Sequence, residues 1–354
     1  MTNVTEQAVS PLQLAGLKKK WNWFFFESAD PANCAIIRIG YSALLLLMLL
    51  VQWPDAAFWY SDSGVLPLSA SRKLIDSDTL TVLAWLPTDA STIQLCYGLF
   101  ILQAVMLLVG FKSRLQAVCL LVWLTSFHHR NGLLLDGEDT VFRIFAFLLA
   151  FSPCSCRWSV DNWLHRRLCG QDMPVASGSA WALRLMQIQM TMIYASTAWE
   201  KLNGNAWLDG TALYYASRLD DVFGRLPVPG ILFNSLTALK LMTWTVLVAE
   251  VLLPLGLWVR ETRRAAILGG IALHLSIEWM MNLFLFEWIM IVGLLSFVTA
   301  ADLCWLRQLC VSLIKLPQSQ HPVRGPVISN LPAAKATQTG KSVAANTDQV
   351  AAGS

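Results

Sequence analysis

Arg38, Asp139, Arg143, Lys201, Glu250, His274, Glu278 and Glu287 stand inside or at the edge of long apolar stretches. An uncompensated charge at the centre of a bilayer costs ~3 kcal/mol on insertion scales. Such residues must pair, titrate to neutral or line a wet cavity. Asp139 and Arg143 are four apart, share a helix face and are predicted to neutralise each other. Arg38 is expected either to anchor the structure or to reach inner-leaflet phosphates. Glu250 lies deeper with no cation nearby in sequence, so it needs a partner on another helix or a proton of its own. His274 and Glu278 are again four apart. They read either as a hydrogen-bonded pair that stitches helices or as a proton relay facing a cavity.

The segment Tyr194–Tyr215 reads YASTAWEKLNGNAWLDGTALYY and runs from the end of an apolar stretch into a loop. Lys201 sits at that boundary, close to Trp199 and Trp207. A desolvated amine there could act as a general base; the plainer alternative is a lysine that snorkels to the headgroups. Cys154 and Cys156 have the wrong spacing for a thioredoxin-type motif or a zinc knuckle, and no metal site is predicted. No dinucleotide-binding, phosphate-loop, zincin or serine-hydrolase pattern is present in the sequence.

Helices must hold these residues, and composition names their solvent. The 354-residue chain is 55% hydrophobic and 14% charged, where soluble proteins carry about 25% charged residues; its mean hydropathy is +0.51. That excludes an ordinary cytosolic enzyme, a secreted disulfide module and a disordered chain. A net charge of +3, with no long basic run, gives no reason to expect nucleic acid as a partner. The 16 tryptophans suit many membrane–water crossings. The fold class expected is an all-α integral membrane protein, a polytopic bundle of about eight transmembrane helices. The spans are read at roughly Cys34–Gln52, Ser91–Gly110, Leu115–Phe127, Asp139–Pro153, Ala180–Trp199, Leu236–Trp258, Ala265–Asn282 and Leu283–Ala301. The last two form one apolar run too long for a single crossing, so the chain is expected to fold back near Asn282.

Lysines and arginines orient the bundle. Lys18, Lys19, Lys20, Lys112, Arg114, Arg157, Arg166, Arg167, Arg260, Arg263, Arg264, Arg307 and Lys315 fall on one side of these spans. Only Arg72, Lys73, Arg130, Lys201, Arg218 and Arg225 fall on the other. The positive-inside rule then places both termini in the cytoplasm. Residues 1–33 read as a cytoplasmic N-terminus in which Leu12–Phe26, mixing lysines with aromatics, forms an interfacial helix or a snorkelling anchor. The first apolar run is as long as a true span and is expected to act as an uncleaved anchor. Residues 34–303 form the transmembrane domain, 304–316 a short amphipathic segment and 317–354 a disordered cytoplasmic tail.

Several of these segments resemble one family. Ser28-Ala-Asp-Pro-Ala-Asn-Cys-Ala-Ile-Ile-Arg38 resembles the approach to the first span in the vitamin K-dependent gamma-carboxylase superfamily, also called horizontally transferred transmembrane (HTTM) domain proteins. Trp158-Ser-Val-Asp161 is similar to its turn after the fourth span. Ala198-Trp-Glu-Lys-Leu-Asn-Gly-Asn-Ala-Trp207, followed by Asp209-Gly210, resembles the segment around its essential lysine. His274, with Asn282 and the following Phe-rich run, resembles its penultimate helix. The similarity runs in order over roughly residues 20–305.

The resemblance implies chemistry. In the carboxylase a lysine base deprotonates a reduced quinone, oxygen converts the quinol to a strong base, and that base removes a glutamate γ-proton before carbon dioxide adds. Carried over, the lysine is Lys201 and a functional histidine is His274, with Arg38, Asp139, Arg143, Glu250 and Glu278 as supporting intramembrane polar residues. The family's residue just before the base is commonly lysine; here it is Glu200. The cofactor implied is a reduced, vitamin K-like quinone, and the setting a bacterial inner membrane. One expected function is therefore a quinol-linked or lipid-linked enzyme with a lysine base. The other is a non-enzymatic accessory or maturation/export factor of the peptide-toxin type. It would recruit a peptide or protein through the outer loops Pro54–Ala90 and Lys201–Asn234.

Overall fold

The computed structural model describes residues 11–28, 30–74, 81–176, 178–219, 223–224, 226–227 and 230–314. The tail expected over 317–354 lies outside the described residues. The chain falls into two units, Met1–Arg307 and Gln308–Ser354. Of the second, only the end of one helix, as far as Ile314, is described. All that follows concerns the first.

Helices are the regular elements among the described residues, apart from one isolated bridge between Phe223 and Met281. The principal helices are α1 (Pro11–Phe26), α2 (Pro31–Gln52), α3 (Ala90–Val109), α4 (Ser113–Arg130), α5 (Gly137–Phe151), α6 (Val160–Cys169), α7 (Ala180–Leu202), α8 (Leu236–Trp258), α9 (Arg263–Met280), α10 (Phe286–Leu294) and α11 (Ala300–Ile314). Local chemistry sets their ends. Asp30 caps α2 by accepting the Ala32 amide, and Pro31 follows at the first helical position, where its missing N–H costs nothing. Asp89, Ser159 and Ser235 cap α3, α6 and α8 in the same way. Gly110 and Gly170 end α3 and α6 in the left-handed conformation.

Apolar side chains face outward as well as into the core. Leu95, Leu102, Val105, Leu241, Val248, Leu252 and Leu255 face outward on α3 and α8, whereas Arg38, Glu250, His274 and Glu287 are buried. Three helical stretches, Pro31–Tyr60, Ala90–Val109 and Leu236–Trp258, are long and apolar enough to cross a membrane; the bent pair Phe286–Phe297 and Ala300–Gln308 passes the same test only when its halves are taken together, as a broken span or a re-entrant loop. On α2, Ile37, Tyr41, Leu45 and Leu49 repeat every four residues and are fully packed. Tyr41 donates its hydroxyl to the Phe142 carbonyl of α5 at 3.1 Å. Glycines let backbones close up where helices cross: a Cβ on Gly40 would stand 2.9 Å from Val292 of α10, and one on Gly270 would stand 2.8 Å from Leu294.

The expected hairpin near Asn282 is present, but the expected final span Leu283–Ala301 is not one helix. α10 gives way to a 3₁₀ turn at Leu295–Phe297, and the chain bends by 104° before α11. Irregular backbone in an apolar setting survives only if its carbonyls find donors. The Asn33 side-chain amide supplies the Leu295 and Val298 carbonyls at 2.8 and 2.5 Å, and Gln187 supplies that of Ser296 at 2.7 Å.

Candidate functional site

Four helices converge on one cavity of about 670 Å³. Helical spacing aims Tyr194, Thr197 and Lys201 from one face of α7. Val246 and Glu250 come from one face of α8, and Leu273 and Ile277 from one face of α9. α8 and α9 touch where a Cβ on Gly256 would meet Ala266 and one on Gly270 would meet Leu253. They part over the stretches 242–250 and 272–281, which line the space between them. Pro254 stands four residues after Glu250 and has no N–H, so α8 cannot supply the usual donor to the Glu250 carbonyl at the level of the site.

Two hydrogen-bonded groups face this mainly apolar space. Lys201 Nζ donates to both Glu250 carboxylate oxygens, at 2.5 and 2.6 Å, and lies 5.0 Å from the Trp207 ring centre. The partner that Glu250 required is thus a lysine 49 positions away on α7, and Lys201 lines the cavity. In the second group the His274 ring is held at both nitrogens. Nδ1 meets Glu287 Oε2, and Nε2 meets the Tyr194 hydroxyl at 2.6 Å. All three residues line the cavity and are at most 4% exposed.

With both ring nitrogens so engaged, His274 does not make the expected pair with Glu278, which instead accepts the Trp288 indole N–H at 2.9 Å. The expected Asp139–Arg143 pair is also replaced. Asp139 lies 3.2 Å from His128 Nε2 and accepts the Asp136 amide, while Arg143 donates to Thr140 at 3.4 Å. A buried imidazole from α4 outcompetes the half-buried arginine on Asp139's own helix. Arg38 reaches no surface. It is fully buried and donates to the carbonyls of Trp158 at 2.6 Å and Leu107 at 3.4 Å. A Cβ on Gly110 would overlap its guanidinium, so this knot requires glycine there. Asp161 completes it by accepting the Lys112 and Ser113 amides at the start of α4. Arg38, Asp139, Arg143 and Glu278 are not among the residues lining the cavity.

The segment after Lys201 closes one end. Asp209 accepts the amide and hydroxyl of Thr211, and the Leu208 carbonyl takes the Trp244 indole N–H at 3.2 Å. A Cβ on Gly210, at φ +80°, would press on Lys240 and Trp244, so glycine lets this turn seat on α8. Reading the sequence alone missed Tyr194 as a site residue and left Glu287 without a role. The first had a signal, since it precedes Lys201 by seven residues, two helical turns on the same face. Glu287 had none, because its partner lies across a hairpin whose geometry no spacing reveals.

The HTTM domain family model matches residues 26–301 of this chain. The chain is 24% identical to the sporulation-delaying protein SdpB of Bacillus subtilis (strain 168) over 266 residues, which cover 73% of this chain and 78% of that protein. It is 23% identical to the uncharacterized protein YitO of the same organism over 209 residues, 56% of this chain and 64% of that one. No solved structure matches it.

Proposed function

This chain belongs to the HTTM domain family, and from that premise we propose that it is a polytopic membrane protein performing lysine-base chemistry on a quinol-linked or lipid-linked ligand. Eight spans with both termini in the cytoplasm of a bacterial inner membrane complete the proposal; the Lys and Arg asymmetry supports that topology. The observation that carries the chemical part is the cavity itself. It is large enough for an amphipathic molecule, mainly apolar, and lined by Lys201 and His274 together.

The residues present fit a reduced quinone. Apolar groups such as Phe286 and Met290 suit a ring or chain, and Lys201, Glu250 and Tyr194 suit hydroxyls. Such a cofactor would supply reducing electrons. Lys201 can pass a proton to Glu250 along either of the two hydrogen bonds that it donates. When Glu250 holds it, Lys201 is a free amine able to accept another from a ligand hydroxyl. The Trp207 ring stands beside the lysine, 5.0 Å from its nitrogen.

The test is Lys201→Arg beside Lys201→Ala in a complementation or quinol-oxidation assay at matched expression. Arginine can keep the pair with Glu250 but releases no proton at neutral pH. Both variants should be inactive and folded; activity in Lys201→Arg would reject the base. A second reading is favoured by the similarity to a sporulation-delaying protein. In it the chain is a non-enzymatic accessory or maturation factor that engages a peptide or protein through the loops 54–90 and 201–234. That reading expects both lysine variants to function while loop substitutions fail.

A further inference from the structure

We infer that Tyr194 is the group that exchanges a proton with the ligand, and that His274 and Glu287 act behind it as positioning residues. The inference rests on the reading of the cavity as a ligand site. The imidazole has two nitrogens, and both are occupied: Nδ1 by Glu287 and Nε2 by the Tyr194 hydroxyl. No nitrogen of His274 is left to meet a ligand, and a proton reaching Nε2 must pass through Tyr194.

The direction of the hydrogen bonds follows from their chemistry. An ionised carboxylate only accepts, so Glu287 holds the proton of the neutral ring on Nδ1. Nε2 is then an acceptor, and the Tyr194 hydroxyl donates to it. The tyrosine oxygen keeps its lone pairs for the cavity, which it lines. A ligand hydroxyl can donate there. As its O–H bond breaks, a new one forms at the phenol oxygen, while the original phenol proton passes to Nε2. The products are a ligand oxyanion and an imidazolium whose charge Glu287 balances. Run backwards, the same path returns the proton. No oxidant or reductant enters.

Tyr194 and Lys201 share a face of α7, so the cavity holds two proton stations about two helical turns apart. Lys201 answers to Glu250, and Tyr194 to the His274–Glu287 pair.

Two measurements on the full-length protein in detergent test this. The first is the ring ¹⁵N NMR signature of His274 in histidine-labelled protein, assigned by loss of the signal in His274→Gln. The expected neutral form carries its proton on Nδ1, and Glu287→Gln should abolish that preference. The second uses 2-naphthol, a redox-inert phenol whose ionised form has its own fluorescence, bound to Lys201→Arg so that the lysine station is silent. Tyr194→Phe, His274→Gln and Glu287→Gln should each lower the ionised fraction of bound naphthol by ~10-fold or more, while the probe still binds. An Nε2-protonated ring, or an unchanged ionised fraction in Tyr194→Phe, would overturn the inference alone. Failure of the wild-type protein to bind 2-naphthol would overturn the ligand-site reading and the inference with it.

Discussion

Lys201 and Glu250 show what a residue gains and risks in an apolar site. Removing one member of a buried pair leaves the other charged and unpaired, which typically costs about 3–5 kcal/mol. Replacing both by apolar residues of similar size is often close to neutral. Lys201→Ala should therefore lower the melting temperature clearly, toward the smaller end of that range because the lysine is only partly buried. Lys201→Met with Glu250→Leu should recover most of the loss, as read by thermal unfolding in detergent. Asp209 offers a residue-scale test outside the spans. Thr211 donates its hydroxyl and its amide to this carboxylate and holds it below the usual carboxylate range. A depressed folded-state value means that the stabilisation is present above the unfolded value near 3.9 and fades as pH falls through the lower folded one. The wild type should therefore melt above Asp209→Asn at neutral pH, and the gap should close in acid. Lys201 was legible in the sequence through its resemblance and its boundary position. Glu250 announced a missing partner without naming it, because residues 49 apart on different helices have no shared period.

At the scale of elements, glycine spacing carries information that only the packing decodes. Gly269 and Gly270 are neighbours in α9, yet a Cβ would find open space at the first and the Leu294 side chain at the second. A helix-interior glycine without a packing reason lowers stability by about 1 kcal/mol relative to alanine. Gly269→Ala should therefore stabilise the protein by up to that amount. Gly110→Ala should destabilise it by more, since the position has φ +75° and the new Cβ would displace Arg38 from its carbonyls. Differential scanning of the two variants checks both signs. Most helices were readable from apolar runs: α8 matches its expected span, and α4, α5, α7 and α9 differ from theirs by only a few residues at the ends. The final span was not readable. Its break depends on side chains of Asn33 and Gln187, more than a hundred positions upstream.

For the whole molecule, the charge asymmetry of the loops predicts an orientation that reporter fusions can check. Fusions after Gly110, Gly170 and Arg264 should report the cytoplasmic side, and fusions within 54–90 the opposite one. An outer-side signal at the C-terminus would reject eight spans. The membrane class was legible from composition because lipid leaves little choice of side chain. The cavity was not, since it exists only where α8 and α9 diverge and α7 and α10 close the gap. The Asn33 clasp on the broken α10 has a consequence for biosynthesis. Asn33 leaves the ribosome more than 260 residues before the carbonyls it serves, and α10, at nine residues, is short for an independent insertion signal. The α10 segment can settle only after α2 and α7 are already in place, so the nascent chain must hold an open seam there until residues 295–298 arrive to close it.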